Sequence, residues 1–311
     1  MDHNNELYMR RALQLARSGE GRVAPNPMVG AVVVAGGRII GEGYHATFGG
    51  PHAEVNAIRS VRECDRHLLT SSTIYVTLEP CSHYGKTPPC AKLIVDTGIP
   101  EVVVGAPDPN PLVSGRGIRM LREAGVNVTE GVLLEECVDI NRRFMTAQTL
   151  GRPWIILKWA SSADGFMAAT GPDGNPAPFK FSSSLSAVWM HRQRAMVEAI
   201  MVGRNTLAID RPRLDVRLWA GESPVKVDCP HAADLPLLMK SLHERGISSI
   251  MIEGGPTLLA SFIRERLFDE IRIEEAPVAL GRGIKAPELP GNLKMVSRES
   301  CRHNIITTFR R

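Results

Sequence analysis

Between residues 6 and 17, Leu7, Met9, Leu13 and Leu15 recur at roughly helical spacing, and Ser18-Gly19 supplies a stop. The chain therefore opens on a helix. Residues 29 to 34 and 38 to 43 are apolar-rich runs flanking Gly36-Gly37, a β-hairpin pattern because paired glycines reach the positive φ of tight turns. The pattern then predicts a helix from His52, a strand at 73 to 78, a helix at 90 to 97 and a strand at 101 to 105. A helix at 117 to 124, a strand at 126 to 129 and one helix from 133 to about 147 complete the run. This alternation describes an α/β sheet with helices packed on its faces.

Thr149-Leu150-Gly151-Arg152-Pro153 interrupts the pattern and is the natural boundary, giving expected domains 1–147 and 148–311. A second αβ series follows, with strands at 154 to 159, 199 to 202, 225 to 228, 249 to 252 and 270 to 274. Its helices are expected around 185 to 194, 235 to 245 and 256 to 264. A length of 311 residues agrees with two cores.

Hydrophobic residues at 43% and charged residues at 23% are ordinary for a globular enzyme and argue against disorder. The formal charge of +4 is dispersed and aromatics are only 5%, so nucleic-acid binding gains little support. A polar N-terminus and no run long enough to span a bilayer lead to the expectation of a cytoplasmic protein with no membrane partner. In such a compartment six cysteines are not a disulfide framework, and a cysteine pair near a histidine is tested first for metal. Cys64, Cys137, Cys229 and Cys301 lack such neighbours and read as ordinary thiols.

His52 and Glu54 stand at an expected helix start, Cys81 after a strand, and Cys90 at the next helix start. One imidazole and two thiolates give Zn2+ three protein ligands, and a catalytic zinc keeps its fourth position for a water whose pKa it lowers. Glu54, two residues from the histidine, is the expected catalytic proton shuttle. His-x-Glu with Pro-Cys is the signature of zinc base deaminases, whose cysteines usually stand two residues apart. Here eight residues intervene. Spacing alone leaves structural zinc and unligated core residues open, although a closed structural site has no use for Glu54.

The surrounding residues carry a resemblance. Residues 24 to 30 (APNPMVG), His52-Ala53-Glu54, residues 78 to 90 (LEPCSHYGKTPPC) and Asp108-Pro109-Asn110-Pro111 resemble the deaminase half of the bifunctional riboflavin-biosynthesis deaminase-reductase family. The long cysteine spacing belongs to that pattern. The resemblance implies an N-terminal cytidine-deaminase-like three-layer α/β/α domain. Asn26 is then a candidate for binding the pyrimidine, with turn chemistry the alternative. His83 reads either as a phosphate contact or as a solvated loop histidine. The turn at Asp108 to Pro111 either closes the site or is only a turn.

Residues 158 to 165 (KWASSADG), Arg194-Ala195, residues 202 to 206 (VGRNT), residues 210 to 217 (DRPRLDVR) and residues 253 to 257 (EGGPT) resemble the reductase half in order. That implies a C-terminal dihydrofolate-reductase-like α/β domain using NADPH. Arg194, Leu214, Arg217 and Glu253 fall at substrate positions, the arginines suited to a phosphate by their rigid fork, with exposed ion pairs as the alternative. Ala160, Thr206, Asp210, Gly255, Pro256 and Thr257 fall at cofactor positions. Glycine between a strand and a helix lets a phosphate approach backbone N–H groups. Lys158 reads equally as catalytic or as an inward strand residue.

The implied reactions are deamination of a small phosphorylated pyrimidine to a uracil and reduction of its ribosyl chain to ribityl, with a homodimer as a family expectation. Three features depart from the pattern. Ala163 replaces leucine, Pro178 and Lys180 stand near a substrate serine and a cofactor-stacking tryptophan, and the interval from Val225 to Leu235 is short. These put reductase activity, more than fold, in question. The competing readings are a deaminase with an inactive reductase-like domain, a nucleic-acid base deaminase and a zinc-stabilised interaction protein.

Overall fold

The computed structural model describes residues 3–84, 88–110, 114–171, 176–177, 179–210, 212–229 and 234–311. Gly85 to Thr87 of the cysteine motif, Pro111, Pro178 and Arg211 lie outside the described residues, as does the side chain of Asp210. The chain divides into two compact units, Met1–Leu150 and Gly151–Arg311.

The first unit runs α1 (His3–Arg17), β1 (Gly30–Ala35), β2 (Arg38–Tyr44), α2 (Ala53–Arg59), a 3-10 helix (Glu63–Ser71), β3 (Thr73–Leu78), α3 (Cys90–Thr97) and β4 (Glu101–Ala106). It ends with α4 (Arg116–Glu123), β5 (Asn127–Glu130), α5 (Leu134–Ile140) and α6 (Arg142–Leu150). The sheet order is β2-β1-β3-β4-β5. β1 pairs antiparallel with β2 and β3, whereas β3, β4 and β5 are parallel. Alternation splits the strands between two cores. Val33, Ile74, Val76 and Val102 pack with Ala57, Ile94 and Leu121 of α2, α3 and α4. Val32, Val34, Tyr75 and Val103 pack with Met9, Leu13 and Cys137 of α1 and α5. The result is the expected three-layer α/β/α sandwich.

The hairpin turns at Gly36 and Gly37 with φ of 56° and 74°, as the sequence implies. The single helix expected from 133 to 147 is instead two, divided at buried Asn141. Its Oδ1 accepts from Met28 N–H at 2.7 Å and its Nδ2 donates to Met28 O at 2.9 Å. That two-point grip fixes the loop bearing Asn26, a long-range interaction that helical periodicity does not reveal.

The second unit contains β6 (Trp154–Ser162), β7 (Phe166–Thr170), β8 (Pro176–Ala177), α7 (Ser184–Ala195), β9 (Ala199–Met201), α8 (Arg204–Asp210), β10 (Val225–Val227) and α9 (Leu235–Glu244). After them come β11 (Ser249–Ile252), α10 (Pro256–Arg264), β12 (Glu270–Ala276), β13 (Gly283–Lys285), β14 (Lys294–Cys301) and β15 (Asn304–Arg310). The main sheet is ordered β10-β9-β11-β6-β12-β15-β14, and β13-β7-β8 form a small second sheet. The first five strands of the main order are parallel, and β15 and β14 extend it antiparallel.

One face of this sheet is apolar, with Ile155, Leu157, Trp159, Ile250 and Ile271 packed on Met239, Leu242, Leu259 and Phe262 of α9 and α10. On the other, Ile156 and Met251 meet Met190 of α7. Farther along this second face, Lys158, Arg272, Glu270 and Glu274 are buried. Strand β14 escaped the sequence reading because its residues, the run KMVSRESC, are largely polar and exposed.

Candidate active sites

A close backbone contact builds the first site. A Cβ on Gly43 would lie 2.3 Å from Ala57 N, so the absence of a side chain lets α2 settle directly on β2. His52 then caps α2 with extended φ and ψ of −70° and 164°, and Glu54 is buried in the first turn. Cys81 follows β3, and Cys90 is the first residue of α3.

His52 Nδ1 lies 3.6 Å from Cys81 Sγ and 3.4 Å from Cys90 Sγ. All three donor atoms fall within 4.8 Å of one another. Ligands about 2.0 Å (N) and 2.3 Å (S) from a tetrahedral zinc stand about 3.6 Å apart, so the donor set fits the ion both in chemistry and in spacing. Cys90 N–H also donates to Cys81 Sγ at 3.3 Å. Hydrogen bonding from Cys90 and from His52 holds the Cys81 thiol down at about 4, whereas the bond to Cys81 and burial push Cys90 up. The hydrogen bond with Cys81 raises His52. A cluster that already stabilises one thiolate is suited to a cation. Burial, reinforced by Cys81, pushes the Glu54 carboxyl up to about 7.

His52 and Cys81 line a cavity of about 250 Å³ whose wall also includes Asn26, His45, Glu54, His83, Asp108 and Phe144. An open cavity beside a three-donor cluster favours a catalytic over a closed structural metal. The structure brings Asn26, His83, Asp108 and Asn110 to this wall, which sequence reading left open. Burial raises Asp108.

Sequence reasoning assigned no role to His45 or Glu79. His45 Nδ1–H donates to Pro51 O at 3.0 Å, so Nε2 is left to accept from Asn26 Nδ2 at 3.2 Å, which sets the amide's orientation. Glu79 accepts from the N–H groups of Asp108 at 3.2 Å, Gly115 at 2.9 Å and Gly117 at 2.9 Å. It therefore ties the loop after β4 against the site. Glu79 lies inside the quoted cysteine motif, so its position carried a signal. Phe144 and Gln148, one helical turn apart on α6, carried none.

In the second unit, Arg194 does not stand free. Its Nε and Nη2 donate to the two Glu253 oxygens at 2.9 and 2.7 Å, and its Nη1 reaches Asp215 O at 3.4 Å. Despite burial, this pairing keeps the Glu253 carboxyl below its ordinary value. Arg217 is exposed and pairs with Asp215, which also binds Arg213 at 2.9 Å. Leu214 is buried with a φ of 54°. Ala160 lies on β6, in register with Glu274. Gly255 caps α10 without a side-chain hydrogen bond, followed by Pro256 and exposed Thr257. A Cβ at Gly255 would meet nothing nearer than Thr206 Oγ1 at 3.9 Å, leaving room at the helix end for a phosphate. These residues fit the phosphate end of NADPH. Lys180 is exposed, and among the described residues no helix is long and apolar enough to cross a membrane.

Comparison with known proteins adds the family. The cytidine and deoxycytidylate deaminase zinc-binding region matches residues 2–106, and the RibD C-terminal domain matches residues 153–232 and 225–307. The riboflavin biosynthesis protein RibD of Actinobacillus pleuropneumoniae is 43% identical, the alignment covering 97% of this chain and 94% of that protein. RibD of Aquifex aeolicus is 37% identical over 91% of this chain and 89% of its own length. The crystal structure of a diaminohydroxyphosphoribosylaminopyrimidine deaminase/5-amino-6-(5-phosphoribosylamino)uracil reductase from Thermotoga maritima superposes with a TM-score of 0.87 at 35% identity, covering 99% of both chains. With a deaminase zinc region in one unit and a RibD C-terminal domain in the other, the chain belongs to the RibD family of riboflavin-biosynthesis deaminase-reductases.

Proposed function

We infer that residues 1–147 deaminate 2,5-diamino-6-ribosylamino-4(3H)-pyrimidinone 5′-phosphate and residues 148–311 reduce the ribosyl chain of the product to ribityl. The observation that carries the reading is the meeting of His52, Cys81 and Cys90 within 4.8 Å, beside a cavity lined by His52, Cys81 and buried Glu54.

His52, Cys81 and Cys90 would hold zinc, which when bound makes water a nucleophile near neutral pH. A Glu54 carboxyl oxygen accepts a proton from the attacking water and delivers protons to the ring nitrogen and the departing amino group. Burial raises the proton affinity of this carboxyl, which suits a group that first takes and then gives a proton. Asn26, oriented by His45, holds the pyrimidine edge. The products are a ring carbonyl and ammonia.

In the second unit, NADPH supplies a hydride when bound. Ala160, Thr206, Asp210, Gly255, Pro256 and Thr257 hold that cofactor. Arg194, Leu214, Arg217 and Glu253 hold the substrate, with Glu253 fixing the plane of Arg194. Lys158 is buried on β6 one position past the carboxyl end of neighbouring β11, where open parallel sheets bind ligands, and it offers N–H groups to a sugar oxygen. The chain works in the cytoplasm as a homodimer, which sedimentation and cell fractionation would check.

Purified zinc-loaded protein should release ammonia and consume NADPH with the phosphorylated pyrimidine. Glu54→Ala should lower ammonia release by about 10²- to 10⁴-fold with zinc still bound. Arg217→Ala should mainly impair NADPH consumption. Deamination by Glu54→Ala at the wild-type rate would reject the mechanism. A second reading, deamination with an inactive reductase-like unit, is favoured by exposed Lys180 at the expected stacking position. Undiminished ammonia release without NADPH loss would select it.

A further inference from the structure

Lys158 is buried on β6, and among the described residues its Nζ has one close ionic neighbour, Glu274 Oε2 at 3.9 Å. That distance is an ion pair without a hydrogen bond, so the ammonium keeps its three donors for another acceptor. The lysine is therefore electrically supported but not consumed.

Glu274 is held differently. Its side chain is fully buried, its Oε1 accepts from Asn304 Nδ2 at 2.6 Å, and its Oε2 accepts from Ser182 Oγ at 2.7 Å. The anchors come from β15 and from the segment before α7. Asn304 is itself tied to Phe181 O at 3.0 Å. A buried carboxylate with both oxygens bonded to fixed donors has little freedom to turn, so its charge stays where Lys158 ends.

The charged groups around Lys158 are Glu253 after β11, Glu274 on β12, Arg194 on α7 and Arg272, its register partner on β12, which Glu270 engages. Burial lowers the lysine, while Glu253 and Glu274 oppose that effect. Glu253 is already engaged by both nitrogens of Arg194, which offsets much of its charge. Among the described residues, Glu274 has only neutral donors besides Lys158. It is thus the carboxylate whose charge remains available to the lysine.

We propose that Glu274 is a positioning residue of the reductase site, holding Lys158 as an ammonium with its N–H groups turned to an oxygen of the bound sugar. The proposal rests on the reductase reading above. Glu274 itself touches neither substrate nor cofactor and acts through Lys158.

Two readouts on the full, zinc-loaded chain test it. In the first, lysines carrying ¹³C-methyl labels are titrated by NMR, with Lys158→Arg identifying the Lys158 signal. Glu274→Gln should lower its midpoint by about one pH unit or more, because the amide removes the charge that favours ammonium. In the second, kcat for NADPH consumption should fall at least about tenfold in Glu274→Gln, with KM for NADPH within about threefold of wild type. Thermal melting of the same samples, with the reductase unit's transition kept near its wild-type temperature, reports that this unit is folded.

Ser182→Ala keeps the carboxylate and removes one anchor, so it should lower kcat less and decides the matter if Glu274→Gln does not fold. An unmoved Lys158 midpoint in Glu274→Gln, or a raised KM with unchanged kcat in either variant, would overturn the proposal. Should wild type fail to consume NADPH, the reductase reading falls, while the NMR midpoint still decides whether Glu274 holds the ammonium.

Discussion

At the scale of single residues, Glu79 shows how a group remote from bond making governs the first site. Its carboxylate accepts from backbone N–H groups on the loop carrying Asp108 and on the start of α4. In Glu79→Gln one acceptor oxygen becomes a donor facing other donors. Supporting partners of metal sites typically matter by about 10- to 100-fold, and a loss of that size in deaminase kcat/KM is expected, with zinc content unchanged. Steady-state kinetics beside metal analysis would check this. His52, Glu54, Cys81 and Cys90 were legible because their residue types and spacing carry their chemistry. The role of Glu79 was not, since a carboxylate beside a proline states nothing about which distant amides it receives.

At the scale of elements, the approach of α2 to β2 sets where His52 and Glu54 stand. Adding a methyl at Gly43 must separate the two elements, since the new carbon would meet Ala57 N at 2.3 Å. Gly43→Ala should cost about 1–3 kcal/mol by overpacking and weaken zinc binding, read by thermal melting and by competition with a chelator. The layer under α5 gives a pH expectation. Burial pushes the Cys137 thiol from 9.0 up to about 12. Below pH 9 both folded and unfolded thiols hold the proton; above it only the unfolded one releases it. Stability from this group is therefore present below the unfolded value and lost as pH rises toward 12. Melting temperature should fall less steeply with rising pH in Cys137→Ala than in wild type. Periodicity located most of these elements, yet it merged α5 and α6 because the break at Asn141 is made by Met28, far away in sequence.

At the scale of the whole molecule, each unit has its own core and its own site, so their chemistry should separate. Removing zinc with a chelator should lower the melting temperature of the first unit and stop ammonia release, because metal binding adds to folding free energy. NADPH consumption should continue when the deaminated pyrimidine is supplied. Parallel loss of both activities would contradict that independence. The sequence by itself determined the αβ alternation, the metal donors, the catalytic carboxylate and the order of the reductase landmarks, because those depend on residue type, local period and spacing. Only the tertiary structure decided that Arg194 is committed to Glu253, that His45 orients Asn26, and that Glu274 stands beside Lys158. Such pairings join residues far apart in the chain, and which buried charges meet is fixed by strand register and helix packing, quantities that no local pattern encodes.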